Sequence, residues 1–152
     1  MTRTAAREIA ILLGFSTAAG SADAVETLER FFEPEHYASM AEENPLFAEM
    51  PDDRQMEYIR TLVTLIDEHR AELDGYIASY ARGWTVGRID RTAAAILRCA
   101  MSEILWLPDV PNAAAINEAV ELAKKYEDED VVSFINGILG SFVRGEVESD
   151  KN

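Results

Sequence analysis

Apolar residues recur at helical spacing along nearly the whole chain, and the period-2 alternation of a half-buried strand is nearly absent. A chain patterned this way can bury its apolar surface only by packing helix on helix, which makes it all-α. Its 152 residues, 48% of them apolar and 28% charged, suit one soluble domain with a sizeable core.

The first helix is expected from about Thr4 to Ser16, with Ile9, Leu12, Leu13 and Ser16 on one face and Arg3 and Arg7 on another. A second, from about Ala22 to Phe32, buries Val25, Leu28, Phe31 and Phe32, and Glu33-Pro34 stops it because proline disfavours helix in the residue before it. Residues 33–53 hold Pro34, Pro45 and Pro51 among acids and read as a long connection with room for one short helix. Met56, Ile59, Val63, Ile66, Leu73, Ile77 and Tyr80 mark one long helix from about Asp53 to Tyr80. Gly83 and Gly87 bracket Trp84 at a turn.

A fourth helix, about Arg88 to Leu107, packs through Ile89, Ala93, Ile96, Leu97, Ala100 and Ile104. Pro108 and Pro111 end it and open a fifth, lined by Ile116, Val120, Ala123 and Tyr126. The sixth starts near Asp130, whose carboxylate is placed to cap the amide of Val132 or Ser133, and continues through Val131, Ile135, Ile138 and Phe142 to Gly145 as its C′ residue. The expected architecture is a compact bundle of about six or seven helices, a single domain over residues 1–145 with a polar tail at 146–152.

Charge narrows the function. The net charge of −14 argues against a general nucleic-acid binder, since phosphate binding requires Lys and Arg. The acid is unevenly spread: residues 21–80 hold fifteen acidic and four basic side chains, whereas residues 1–20 and 81–126 each come to +1. An RNA surface would have to be built from the first and fifth segments. No apolar run reaches the ~20 residues that span a bilayer, and with no secretory signal in Met1–Ser16 and one cysteine, Cys99, the expected location is the cytoplasm.

No catalytic constellation emerges. His36 and His69 are far apart, with no second imidazole or Cys at ligand spacing. Cys99 falls in an apolar helical face, as small core cysteines do. The run Glu127-Asp128-Glu129-Asp130 lacks the spacing of a calcium loop and reads as a solvated helix start. There is no glycine-rich phosphate loop and no nucleophile elbow. No enzyme activity, cofactor or metal is expected. Phe15, Tyr126 and Phe134 could stack on unpaired bases, or serve as core.

The stretch Asp109-Val110-Pro111 leading into Ala115-Ile116-Asn117-Glu118-Ala119-Val120-Glu121-Leu122-Ala123-Lys124 resembles the NusB family of bacterial transcription antitermination factors. So do Glu129-Asp130, Phe134-Ile135-Asn136-Gly137-Ile138-Leu139, Gly83-Trp84, Ile96-Leu97-Arg98 and Glu103-Ile104-Leu105, and, near the start, Arg7-Glu8 followed by Ala10. The resemblance implies two three-helix sub-bundles, no enzymatic activity, and binding of boxA-like single-stranded RNA from rRNA operon transcripts together with NusE, the ribosomal small-subunit protein, beside RNA polymerase. It implies RNA contacts at Arg3, Arg7, Asp130 and Phe134. Members act as monomers or homodimers.

Some positions depart from the family pattern. Thr4, Ala5 and Ala6 thin the basic run of the first helix, Ala93-Ala94 stand for an Asp-Arg pair, Ser133 for a basic residue, and Asn112-Ala113 for an aromatic-basic pair. Affinity scales with the phosphates neutralised, so the expectation is RNA binding that is weak alone and depends on NusE; the alternative is a protein that works through protein contacts or as a homodimer.

Overall fold

The computed structural model describes residues 1–19, 23–81 and 89–148. The expected positions of the Phe15 and Ser16 side chains, the Gly83–Gly87 turn with Trp84, the helix starts at Ala22 and Arg88, and the end of the tail lie outside the described residues. Within them the chain is all-α: α1 (Arg3–Ala19), α2 (Ala24–Phe31), α3 (Pro34–Met40), α4 (Asp53–Glu68), α5 (Arg70–Tyr80), α6 (Arg91–Trp106), α7 (Asn112–Tyr126) and α8 (Glu129–Phe142). A 3-10 turn at Pro45–Phe47 and a π-helical segment at Val143–Glu148 complete it. The chain forms two compact units, Met1–Glu68 and His69–Asn152.

In the first unit α1 lies along α4, and α2 packs on both. Ile9, Leu13, Ile59 and Leu62 are sealed from solvent. Ala24 and Leu28 form the inner stripe of α2, continued by its C-cap Phe32, and Val25, expected to be buried, is 54% exposed. Asp23 accepts from the Val25 amide as N-cap, which turns the second helical position outward.

The proline-rich connection is more ordered than its composition suggests. Glu33, held extended by the proline after it, accepts from the amides of Glu35 and His36 and caps α3, with Pro34 as its first helical residue. Phe31, Phe32, Tyr37 and Phe47 form an aromatic cluster with neighbouring ring centroids 4.9 to 6.0 Å apart. Tyr37 Oη donates to the Glu49 carbonyl at 2.9 Å, and burial, followed by the Glu49 charge, raises its pKa.

The helix expected over 53–80 is two. His69 leaves helical geometry at φ −111°, ψ 20°, and becomes the N-cap of α5. The apolar stripe has a gap between Ile66 and Leu73, so no buried side chain holds the helix straight there. With α3, this break raises the α-helix count among the described residues to eight, above the six or seven expected.

The second unit is built around α6, against which α5, α7 and α8 pack. Asp90 accepts from the Ala93 amide at 2.8 Å and starts α6. Ile96, Leu97, Met101, Ile135, Leu139 and Phe142 fill the core. Next to them the Glu103 carboxylate is fully buried and accepts from Cys99 Sγ at 3.7 Å. On α7 the buried stripe is Ala115, Ala119, Leu122 and Ala123; Ile116 and Val120 are half-buried and Tyr126 is 39% exposed, unlike the expected stripe. Small side chains take the inner positions because they let neighbouring backbones approach closely.

Gly145 lies inside the π-helical segment, and its place there comes from close packing, not from a C′ turn. A Cβ on it would overlap the hydroxyl of Tyr80, which donates to Glu146 at 2.7 Å.

Candidate nucleic-acid interface

Arg3 and Arg7, one helical turn apart on α1, face α4. The Arg3 guanidinium carbon sits 4.0 Å from the centroid of the Tyr58 ring and that of Arg7 5.7 Å from it, so one ring carries both cations. Arg3 Nε also donates to Gln55 Oε1 at 2.9 Å. Gln55 and Tyr58 are three residues apart and share a face of α4. The two arginines differ in depth: Arg3 is half-exposed, whereas Arg7 is 5% exposed beside Glu8 at 6%. Among the described residues no buried side-chain nitrogen or oxygen is left without a partner, as buried charge requires.

Asp130 and Phe134, again one turn apart, lie at the start of α8. Asp130 is exposed and Phe134 is 8% exposed. Asp128, not Asp130, is the N-cap residue: its carbonyl receives the Val132 amide at 3.0 Å, and its side chain makes no capping bond. The α7–α8 link is two residues long, which starts the helix earlier than expected and puts Asp130 inside its first turn. There its charge complements the helix dipole without capping an amide.

The same end of the second unit carries groups that sequence reasoning passed over. Lys124 and Lys125, both exposed, close α7. Lys124 donates to Glu121 at 2.9 Å, and Lys125 Nζ lies 5.6 Å from the Tyr126 ring centroid. The adjacent pair of lysines followed by an aromatic was the available signal. Lys124, Glu127, Glu129, Val132 and Ser133 line an open groove of about 400 Å³. Beside it, burial first, then a hydrogen bond with Asp90 and the charges of Asp90 and Asp128, push Glu127 up from an ordinary 4.5 to about 7. Near neutral pH, part of the population therefore has one fewer negative charge on this acidic link.

Among the described residues no group of three or more His, Cys, Asp or Glu is placed to hold a metal, and no helix is long and apolar enough to cross a membrane. The surface elements are cations seated on an aromatic ring in one unit, and two lysines, an exposed tyrosine and a helix-start carboxylate in the other. Cations of this kind hold phosphates and planar side chains stack on unpaired bases, the contacts by which single-stranded RNA is bound.

The sequence profile of the NusB family matches residues 4–144. Transcription antitermination protein NusB of Symbiobacterium thermophilum is 40% identical over 149 residues, covering 95% of this chain and 91% of that protein. Among solved structures, T. maritima NusB is similar with a TM-score of 0.72 and 26% identity, covering 99% of this chain and 96% of that one. A chain from a crystal structure of antitermination factors NusB and NusE in complex with dsRNA shares the fold at a TM-score of 0.71 and 22% identity, covering 93% and 96% of the two chains. With the family pattern running through both units and across the α7–α8 link, the chain belongs to the NusB family.

Proposed function

We propose that this protein is a non-enzymatic transcription antitermination factor. In this reading it binds boxA-like single-stranded RNA of rRNA operon transcripts together with NusE and joins the antitermination complex on RNA polymerase in the cytoplasm. Residues 1–145 act as one functional domain, followed by the polar tail 146–152. The observation that carries the reading is the family match over residues 4–144, alongside an antitermination protein 40% identical over 149 residues.

In this proposal Arg3 grips phosphate and Asp130 accepts from a base amino group. Arg7 and Phe134, at 5% and 8% exposure, hold those contacts from beneath. With the basic run of the first helix thinned by Thr4, Ala5 and Ala6, affinity for RNA alone is low and NusE raises it. Titrating boxA-like RNA with and without NusE, at two salt concentrations, tests this: the slope of log affinity against log salt reports the phosphates engaged. Absence of binding under both conditions would sink the proposal.

The burial of Arg7 and Phe134 favours one rival, a NusB-fold protein acting through protein contacts or as a homodimer that uses little RNA. Antitermination unchanged in an Arg3→Ala/Asp130→Ala double variant would move the assignment to that reading.

A further inference from the structure

We propose that Gln55 and Tyr58 are positioning residues that form a seat for Arg3, presetting its guanidinium to take a phosphate of the RNA backbone. The inference rests on the RNA-binding reading above and names how one contact of that site is built.

A guanidinium has two faces, an Nε side and an end edge carrying both Nη groups. In this structure Gln55 Oε1 occupies the Nε–H at 2.9 Å, and the Tyr58 ring covers one face at 4.0 Å. Among the described residues the Nη edge has no protein acceptor, and the side chain is half-exposed. That edge carries the parallel pair of N–H groups that matches two phosphate oxygens.

The seat also answers a problem of charge. This unit holds fourteen of the chain's 28 acidic side chains against five basic ones, which could draw a free arginine into ion pairs with neighbouring carboxylates. Gln55 and Tyr58 are neutral: they hold the cation without neutralising it, so its full charge remains for the ligand. They also restrict a side chain that would otherwise lose much of its rotamer freedom on binding. Tyr58 itself, at 6% exposure, is too deep to stack on a base, which leaves it the supporting part.

The test is a double-mutant cycle on the full chain with a short single-stranded boxA-like RNA, NusE present throughout. Arg3→Ala should lower the salt slope by about 0.7, one phosphate on a single strand. Gln55→Ala should weaken binding about 3- to 10-fold with the slope unchanged, because the charge stays while its placement is lost. In the Arg3→Ala background, Gln55→Ala should do nothing further. Tyr58→Phe, which keeps the ring face, should bind as the unsubstituted protein does. Gln55 is half-buried, so its truncation leaves the fold intact and keeps the test independent of any loss of folding at Tyr58. An equal loss on Gln55→Ala in both backgrounds, or none where Arg3→Ala loses affinity, overturns the seat. If Arg3→Ala binds as well as the unsubstituted protein, the seat falls and the RNA reading stands on other residues. If the unsubstituted protein binds no RNA, both fall.

Discussion

The first turns of α1 and α8 carry their candidate contacts at the same spacing and sort them in the same way. Arg3 and Asp130 reach solvent, whereas Arg7 and Phe134, four residues further on, are 5% and 8% exposed. The inner positions are stable for different reasons. Phe134 contributes by removing an apolar ring from water. Arg7 is a buried charge that must stay paired and lies over the Tyr58 ring. Spacing of four places two side chains on one face of a helix, but the elements packed around that helix decide how deep each one sits.

The largest expected effect separates the members of the α8 pair. Phe134→Ala should destabilise the protein by about 3–5 kcal/mol, as for large-to-small changes in a packed core. Asp130→Ala should change stability by no more than about 0.5 kcal/mol, because it is exposed and caps nothing. Urea unfolding midpoints of the two variants check this. A near-neutral Phe134→Ala would mean that the ring works at the surface, and the parallel with α1 would break.

The α1 pair should separate by less. Arg7→Ala should cost about 3 kcal/mol, since truncating one member of a buried, paired set strands the other. Arg3→Ala should cost about 0.5 kcal/mol, the scale of an exposed cation–π contact. In RNA titrations the order reverses: Arg3→Ala lowers the salt slope and Arg7→Ala, measured where it is folded, leaves it unchanged. Loss of slope on Arg7→Ala with stability intact would make Arg7 the phosphate contact and undo the assignment of depth.

These depths show where sequence reading stops. The all-α class was legible because Ile9, Leu13, Ile59, Ile96, Leu97, Ile135 and Phe142 recur at helical spacing and are buried in the folded protein. The His69 break was not read, although the gap between Ile66 and Leu73 marks it, because apolar spacing on either side continues in phase. The Asp90–Glu127 pair was also out of reach: thirty-seven residues separate a helix N-cap from a helix C-cap, and only packing of α7 against α6 brings them together. Gln55 was invisible as a functional residue for the same reason, since its role exists only where α4 lies along α1.

That carboxyl pair gives the smallest effect and the sharpest contrast between the two helix starts. The α1 start presents a cation on an aromatic ring, whereas the α8 end holds a carboxyl pair that responds to pH. Glu127 is raised from 4.5 to about 7 in the folded chain, so between those values the folded state holds a proton that the unfolded state has released. Stability from this group is therefore fully present below pH 4.5 and lost as pH rises through about 7. The side chain is partly solvated, so a loss on the order of 1 kcal/mol between pH 5 and pH 8 is expected. Glu127→Gln cannot ionise and should lose less stability over that interval than the unsubstituted protein by the same amount. Denaturant midpoints at the two pH values measure the difference. Equal losses in the two proteins would place the titration elsewhere and remove the pH-dependent character of the α8 end.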